Sequence, residues 1–98
     1  MRIFLIIACA LIVLGCTSPS PRFAGAARQE VTVEGSRFIV FRLGDEVEVH
    51  RVSPEFLPRQ RYVFIRGITA IEAVTGCPVR PRSLTGDQAI LRASIDCP

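Results

Sequence analysis

Twelve consecutive apolar residues, Ile3 to Leu14, stand between a single Arg2 and the pair Gly15-Cys16, and they limit what the rest of the chain can build. A positive start, a short apolar stretch and a small residue before a cut is the layout of an export signal. The stretch is too short for a membrane helix, which needs about 20 residues. Cleavage after Gly15 makes residues 1–15 a leader that contributes nothing to the folded domain. A plain signal cut nearby and an uncleaved signal anchor are the alternatives. The chain beyond the leader has room for one small domain, and a core of that size is commonly stapled.

The stretch Val13-Leu14-Gly15-Cys16 resembles the lipobox of bacterial lipoproteins, in which the cysteine that becomes the first mature residue is alkylated by diacylglycerol. Gly15 and Cys16 match the pattern and Val13 is acceptable in its place, whereas Leu14 is bulkier than the usual Ala or Ser. The resemblance implies lipid on Cys16, a membrane held through that lipid, and a domain in the cell envelope facing the periplasm. Thr17, not Asp, follows Cys16. Under the sorting rule of enteric bacteria that favours the outer membrane over the inner.

The chain has four cysteines, and this assignment divides them. Cys9 leaves with the leader and Cys16 is consumed by lipid, so Cys77 and Cys97 remain as a pair. Two exported thiols in one small domain point to a disulfide. A metal site would need companions at ligand spacing. The only histidine is His50, and neither Cys77 nor Cys97 has a second Cys within four residues. Cys-x-x-Cys, the usual redox spacing, is absent. No metal and no other cofactor is expected.

Residues 16–29 are small, punctuated by proline and without apolar period, so they read as a flexible tether; the alternative is that Phe23 packs them onto the domain. The domain is then residues 30–98. Val31 and Val33 alternate with polar residues, Gly35 marks a turn, and Phe38 to Phe41 form a continuous apolar run suited to a central strand covered on both faces. Val47 and Val49 alternate with Glu48 and His50 after the turn at Gly44-Asp45. Pro58 delays a helix to about Arg59, and two adjacent apolar rows, Phe64, Ile68, Ile71 and Val63, Gly67, Ala70, Val74, carry it to a C-cap at Gly76. A strand over Tyr62 to Ile65 is the rival reading. Pro78 and Pro81 demand an extended or looped segment, and Ala89 to Cys97 alternates as a last strand with Ala89, Leu91, Ala93, Ile95 and Cys97 on one face. The expected fold is α+β: a small antiparallel sheet in the order βββαβ, one helix packed on it, and one disulfide from helix end to last strand.

Chemistry-bearing groups are sparse. All twelve basic residues are Arg, which removes Schiff-base and lysine-base mechanisms. Once Arg2 is cut away, eleven Arg face nine acids, too balanced for a nucleic-acid partner. His50 shares a strand face with Glu46 and Glu48, read here as a solvated mixture of charges and not as a cation site. Ser53, Ser83 and Ser94 have no histidine near them in sequence. Thr85-Gly86-Asp87-Gln88 reads as a turn. Arg59, Arg61, Arg66, Arg80 and Arg82 flank the helix as a loose basic cluster, and Arg80 and Arg82 are the candidate contacts for an anionic glycan, a lipid headgroup or an acidic partner.

The segment Ile71-Glu72-Ala73-Val74-Thr75-Gly76-Cys77, with Leu84-Thr85-Gly86-Asp87-Gln88-Ala89 and the ending Ile95-Asp96-Cys97, resembles short lipoproteins of alphaproteobacteria whose activity is uncharacterised. It covers about the last third of the chain. The resemblance implies an envelope location and paired cysteines and adds no catalytic residue. The functional expectation is a membrane-anchored, non-catalytic interaction or adaptor domain with an envelope protein as partner. The alternative is a module that binds or senses an anionic glycan or lipid.

Overall fold

The computed structural model describes residues 19–98. The leader and Cys16, on which the lipidation expectation falls, lie outside the described residues. Five antiparallel strands form one sheet: β1 (Ala27–Val33), β2 (Ser36–Leu43), β3 (Glu46–Arg51), β4 (Thr85–Gly86) and β5 (Ile90–Ser94), in the spatial order β1-β2-β3-β5-β4. One helix, α1 (Gln60–Thr75), connects β3 to the segment that leads to the last strands. The first hairpin closes over Glu34 and Gly35, both at positive φ (48° and 87°), the turn geometry whose twist matches the flanking strands.

Helix bounds follow local chemistry. Pro58 keeps the preceding chain out of helix, Arg59 is the N-cap, and Gly76 ends α1 in the left-handed region at φ 71° with its N–H donating to Glu72 O. The rival strand over Tyr62 to Ile65 does not form. Val63, Gly67, Ala70 and Ile71 are the buried residues of α1. A Cβ on Gly67 would collide with Leu91 Cδ1, so a glycine at mid-helix lets the backbone sit close over β5.

The main core lies between α1 and the inner face of the sheet. Phe38, Val40, Val47, Val49, Leu91, Ala93 and Ile95 meet Val63, Ala70 and Ile71 there, with Val31 and Val33 at the margin. Strand β2 is central and covered on both faces, as its unbroken apolar run requires. Cys77, just past the helix, bonds Cys97, and their Cα atoms are 5.0 Å apart. The disulfide thus ties the end of α1 to the chain beyond β5. The two-residue strand β4 adds an edge that the turn at Thr85-Gly86 did not announce; it pairs with Arg92 and Leu91.

Two expectations are corrected. The chain is seated on the domain from Pro19, well before Glu30, and β1 begins at Ala27. Pro21–Phe23 make a single 3-10 turn, and Phe23 is buried against Ile39 and Phe41. Residues 19–29 are therefore part of the fold, and the apolar anchor responsible is Phe23. The second correction follows from the first. Glu48 and His50 are buried, not solvated, because this N-terminal strap covers the outer face of β2 and β3.

The Cys77–Cys97 bond spans 20 residues of chain, for which the chain-entropy account gives about 3 kcal/mol. Reduction, or Cys97→Ser, is expected to lower the unfolding free energy by that amount, read as a lower urea midpoint, while far-ultraviolet circular dichroism keeps its native form. Coincident unfolding curves for oxidised and reduced protein would remove the disulfide's stabilising role.

Candidate functional site

Strand register sets the outer-face site. Arg28, Phe41, Glu48 and Arg92 are direct partners in one row across β1, β2, β3 and β5. Glu30, Ile39, His50 and Ile90 form the next row. The strap over this face is curled by turn bonds of its own backbone, Phe23 N–H to Ser20 O at 2.8 Å and Ala26 N–H to Phe23 O at 3.0 Å. Its apolar contacts are Phe23 on Ile39 and Phe41, with Ala26 and Val52 beside them.

Glu48 is the centre. Its side chain is 1% exposed, and four donors converge on its two oxygens. Ser20 gives its backbone N–H to Oε2 and its hydroxyl to Oε1, both at 2.9 Å. His50 Nε2 stands 3.3 Å from Oε2, and Arg92 Nε donates to Oε1 at 3.0 Å. Burial pushes the carboxyl upward, but the bonds from Ser20, His50 and Arg92 outweigh it and hold the acid below its ordinary value of 4.5. The His50 ring meets Phe41 edge-on at 5.1 Å between centroids, and the Arg28 guanidinium lies 5.6 Å from the Phe41 ring centre.

The order of groups decides what this cluster can do. In a hydrolytic triad the imidazole stands between acid and hydroxyl and takes the hydroxyl proton. Here the acid stands between the other two, and the Ser20 hydroxyl donates directly to the carboxylate. That arrangement clamps a strap and activates no nucleophile. Beside it runs a cleft of about 170 Å³ between Arg22, Phe23, Glu46 and Arg92, smaller than the 300–1,000 Å³ usual for small-molecule sites.

A second, half-buried acid organises the loop between β3 and α1. Glu55 accepts from Ser53 Oγ at 2.7 Å, Ser36 Oγ at 3.1 Å and Arg51 Nη1 at 3.1 Å, with Arg66 Nη1 at 3.8 Å. Burial raises the acid and these hydroxyl and guanidinium donors lower it further, so it too sits below its ordinary value. Ser53 is itself held, its hydroxyl by Arg37 N–H and its carbonyl by Arg51 Nη1. Directly after this pinned base come Phe56 and Leu57, 92% and 79% exposed.

The basic cluster read around the helix is not one site. Arg66 is committed to Glu34, Glu55 and Ser36. Arg80 donates to Ile95 O at 3.3 Å and faces Asp96 at 3.8 Å, whereas Arg82, at φ 65°, has no ion pair or side-chain hydrogen bond among the described residues. Arg59 and Arg61 likewise have none there and are exposed. The turn expected over Thr85 to Gln88 falls later, after β4: Asp87 Oδ1 accepts the N–H groups of Ala89 and Ile90 there, which lowers its carboxyl. Glu48 and His50 were visible in sequence only as an alternating pair, and nothing local tied them to Ser20, twenty-eight residues earlier. No protein-family model, no curated protein and no solved structure matches the chain.

Glu48→Gln keeps the shape but turns one acceptor into a donor facing Ser20 or Arg92. It is expected to cost about 2 kcal/mol at neutral pH. The native carboxyl is lowered from 4.5, so its contribution is complete above that pH and is lost as pH falls through the lower folded value. Urea midpoints of the two proteins should therefore converge in acid; a gap that persists there would detach the loss from the carboxylate charge.

Proposed function

We propose that this chain is a non-catalytic interaction domain, anchored in a bacterial envelope membrane through lipid on Cys16 and facing the periplasm, that acts as an adaptor holding a partner close to that membrane. The observation that carries the reading is the pair of hydrogen bonds that Ser20 donates to Glu48. It fixes where the chain enters the fold, four residues after the lipobox-like cysteine, a span of at most about 14 Å when extended. The domain then stands at the membrane surface and not at the end of a long tether. The acids that could have served a reaction, Glu48 and Glu55, are instead consumed in holding the strap and a loop.

The alternative, an anionic glycan or lipid taken between Arg80 and Arg82, has less support. Arg80 is already bonded to Ile95 O and faces Asp96. Only Arg82 of that pair is left to meet a ligand among the described residues.

Intact mass of the mature protein is expected to show a chain beginning at Cys16 and carrying diacylglycerol, and Cys16→Ala should move the protein out of the detergent phase. An unmodified amino terminus beyond Cys16 would end the anchor reading. Crosslinking in native envelopes should recover a reproducible protein partner, and monomer alone under varied conditions would end the adaptor reading.

A further inference from the structure

We infer that Phe56 and Leu57 form a tip that enters the surface of an anionic bilayer, with Arg59 and Arg61 as its contacts to the headgroups. The inference rests on the membrane anchoring proposed above and adds a second point of contact. Phe56 and Leu57 are the two most exposed large apolar residues described, at 92% and 79%. They are not exposed because the loop is loose. Glu55 and Ser53, immediately before them, are bonded to Ser36, Arg37, Arg51 and Arg66. A rigid base therefore holds two apolar side chains in water, at a cost that burial elsewhere would relieve. Leu57 also sits at φ 45°, a region bulky residues rarely adopt.

Charge completes the argument. Arg59 caps α1 without a side-chain hydrogen bond, and the first turn contains no acid. Arg59 and Arg61 thus stand at the positive end of the helix dipole with no ion pair among the described residues, an arrangement that anions outside the chain would stabilise. An apolar tip followed by free guanidinium groups suits the boundary between acyl chains and phosphates. A protein partner fits less well, because a specific interface covers about 800 Å² per side and two side chains on a turn supply a small part of that.

The chain contains no Trp, which makes a single introduced indole a clean reporter. Full-length Phe56→Trp protein, purified from membranes and reconstituted in vesicles of phosphatidylglycerol and brominated phosphatidylcholine, is expected to show blue-shifted emission quenched by the bromines. In that background Arg59→Gln and Arg61→Gln should each lower the ratio of inserted to free tip about fivefold, and neither should matter in phosphatidylcholine alone. Leu43→Trp, at the opposite end of β2 and 44% exposed, should stay solvent-like. Quenching at Leu43→Trp with a wet Phe56→Trp would overturn the inference and turn the other end of the sheet to the membrane. A wet indole at both positions, with protein still attached to vesicles, would also overturn it and leave the tip to a protein partner. The mass of Cys16 in the same preparation reports the anchor separately, so failure of the tip and failure of the lipidation are distinct results.

Discussion

A carboxylate taken out of water costs several kcal/mol unless its lone pairs are met, and Glu48 meets that demand with four donors from three segments of the chain. Two come from Ser20, one from the neighbouring His50 and one from Arg92 on β5. The strap can lie on the sheet because Glu48 gives it a polar landing point, and Glu48 can be buried because the strap shields it. Phe23 supplies the apolar half of the same contact against Ile39 and Phe41. Remove either half and the outer face of the sheet becomes wet, with two large apolar side chains exposed on it.

Glu55 repeats the device on the other side of β3. It gathers hydroxyl and guanidinium donors from β2, from the end of β3 and from α1, and so fixes the base of a loop that has no regular structure of its own. Ser36 and Arg66 join that cluster to the first hairpin and to the helix. In so small a domain, where apolar area is limited, two acids with several partners each, one buried and one half-buried, give the irregular segments their positions. The disulfide does the same for the segment after α1, which two prolines keep out of regular structure. Rigidity at these three places is what gives the exposed pair Phe56 and Leu57 its interest: the flanking chain is ordered and the apolar tip is still in water.

Period and punctuation were enough for most of the fold. The unbroken run Phe38 to Phe41 marked a central strand, Pro58 and Gly76 bracketed the helix, and alternation from Ala89 carried Leu91, Ala93 and Ile95 to the inner face. Those are local properties, set by backbone geometry within a few residues. The outer-face cluster was not legible in the same way. Alternation says that Glu48 and His50 point away from Val47 and Val49; it does not say whether that side meets water. The cover came from a stretch whose prolines and small residues read as a tether, with Phe23 as its one signal.

Spacing of proline, glycine and apolar residues settled the α+β class and the limits of the helix, since each depends on chain geometry close at hand, whereas the pairing of Cys77 with Cys97 was expected only by setting the other two cysteines aside, and the fold makes the bond. Tertiary structure settled which charges are buried. Whether Glu48 is a solvated surface group or a clamped one depends on Ser20 arriving from far along the chain, and whether Arg80 or Arg59 is free to meet an anion depends on which acids and carbonyls the fold has brought beside each. A side chain's type and its strand face are written in the sequence, but its partners are set by packing between distant segments.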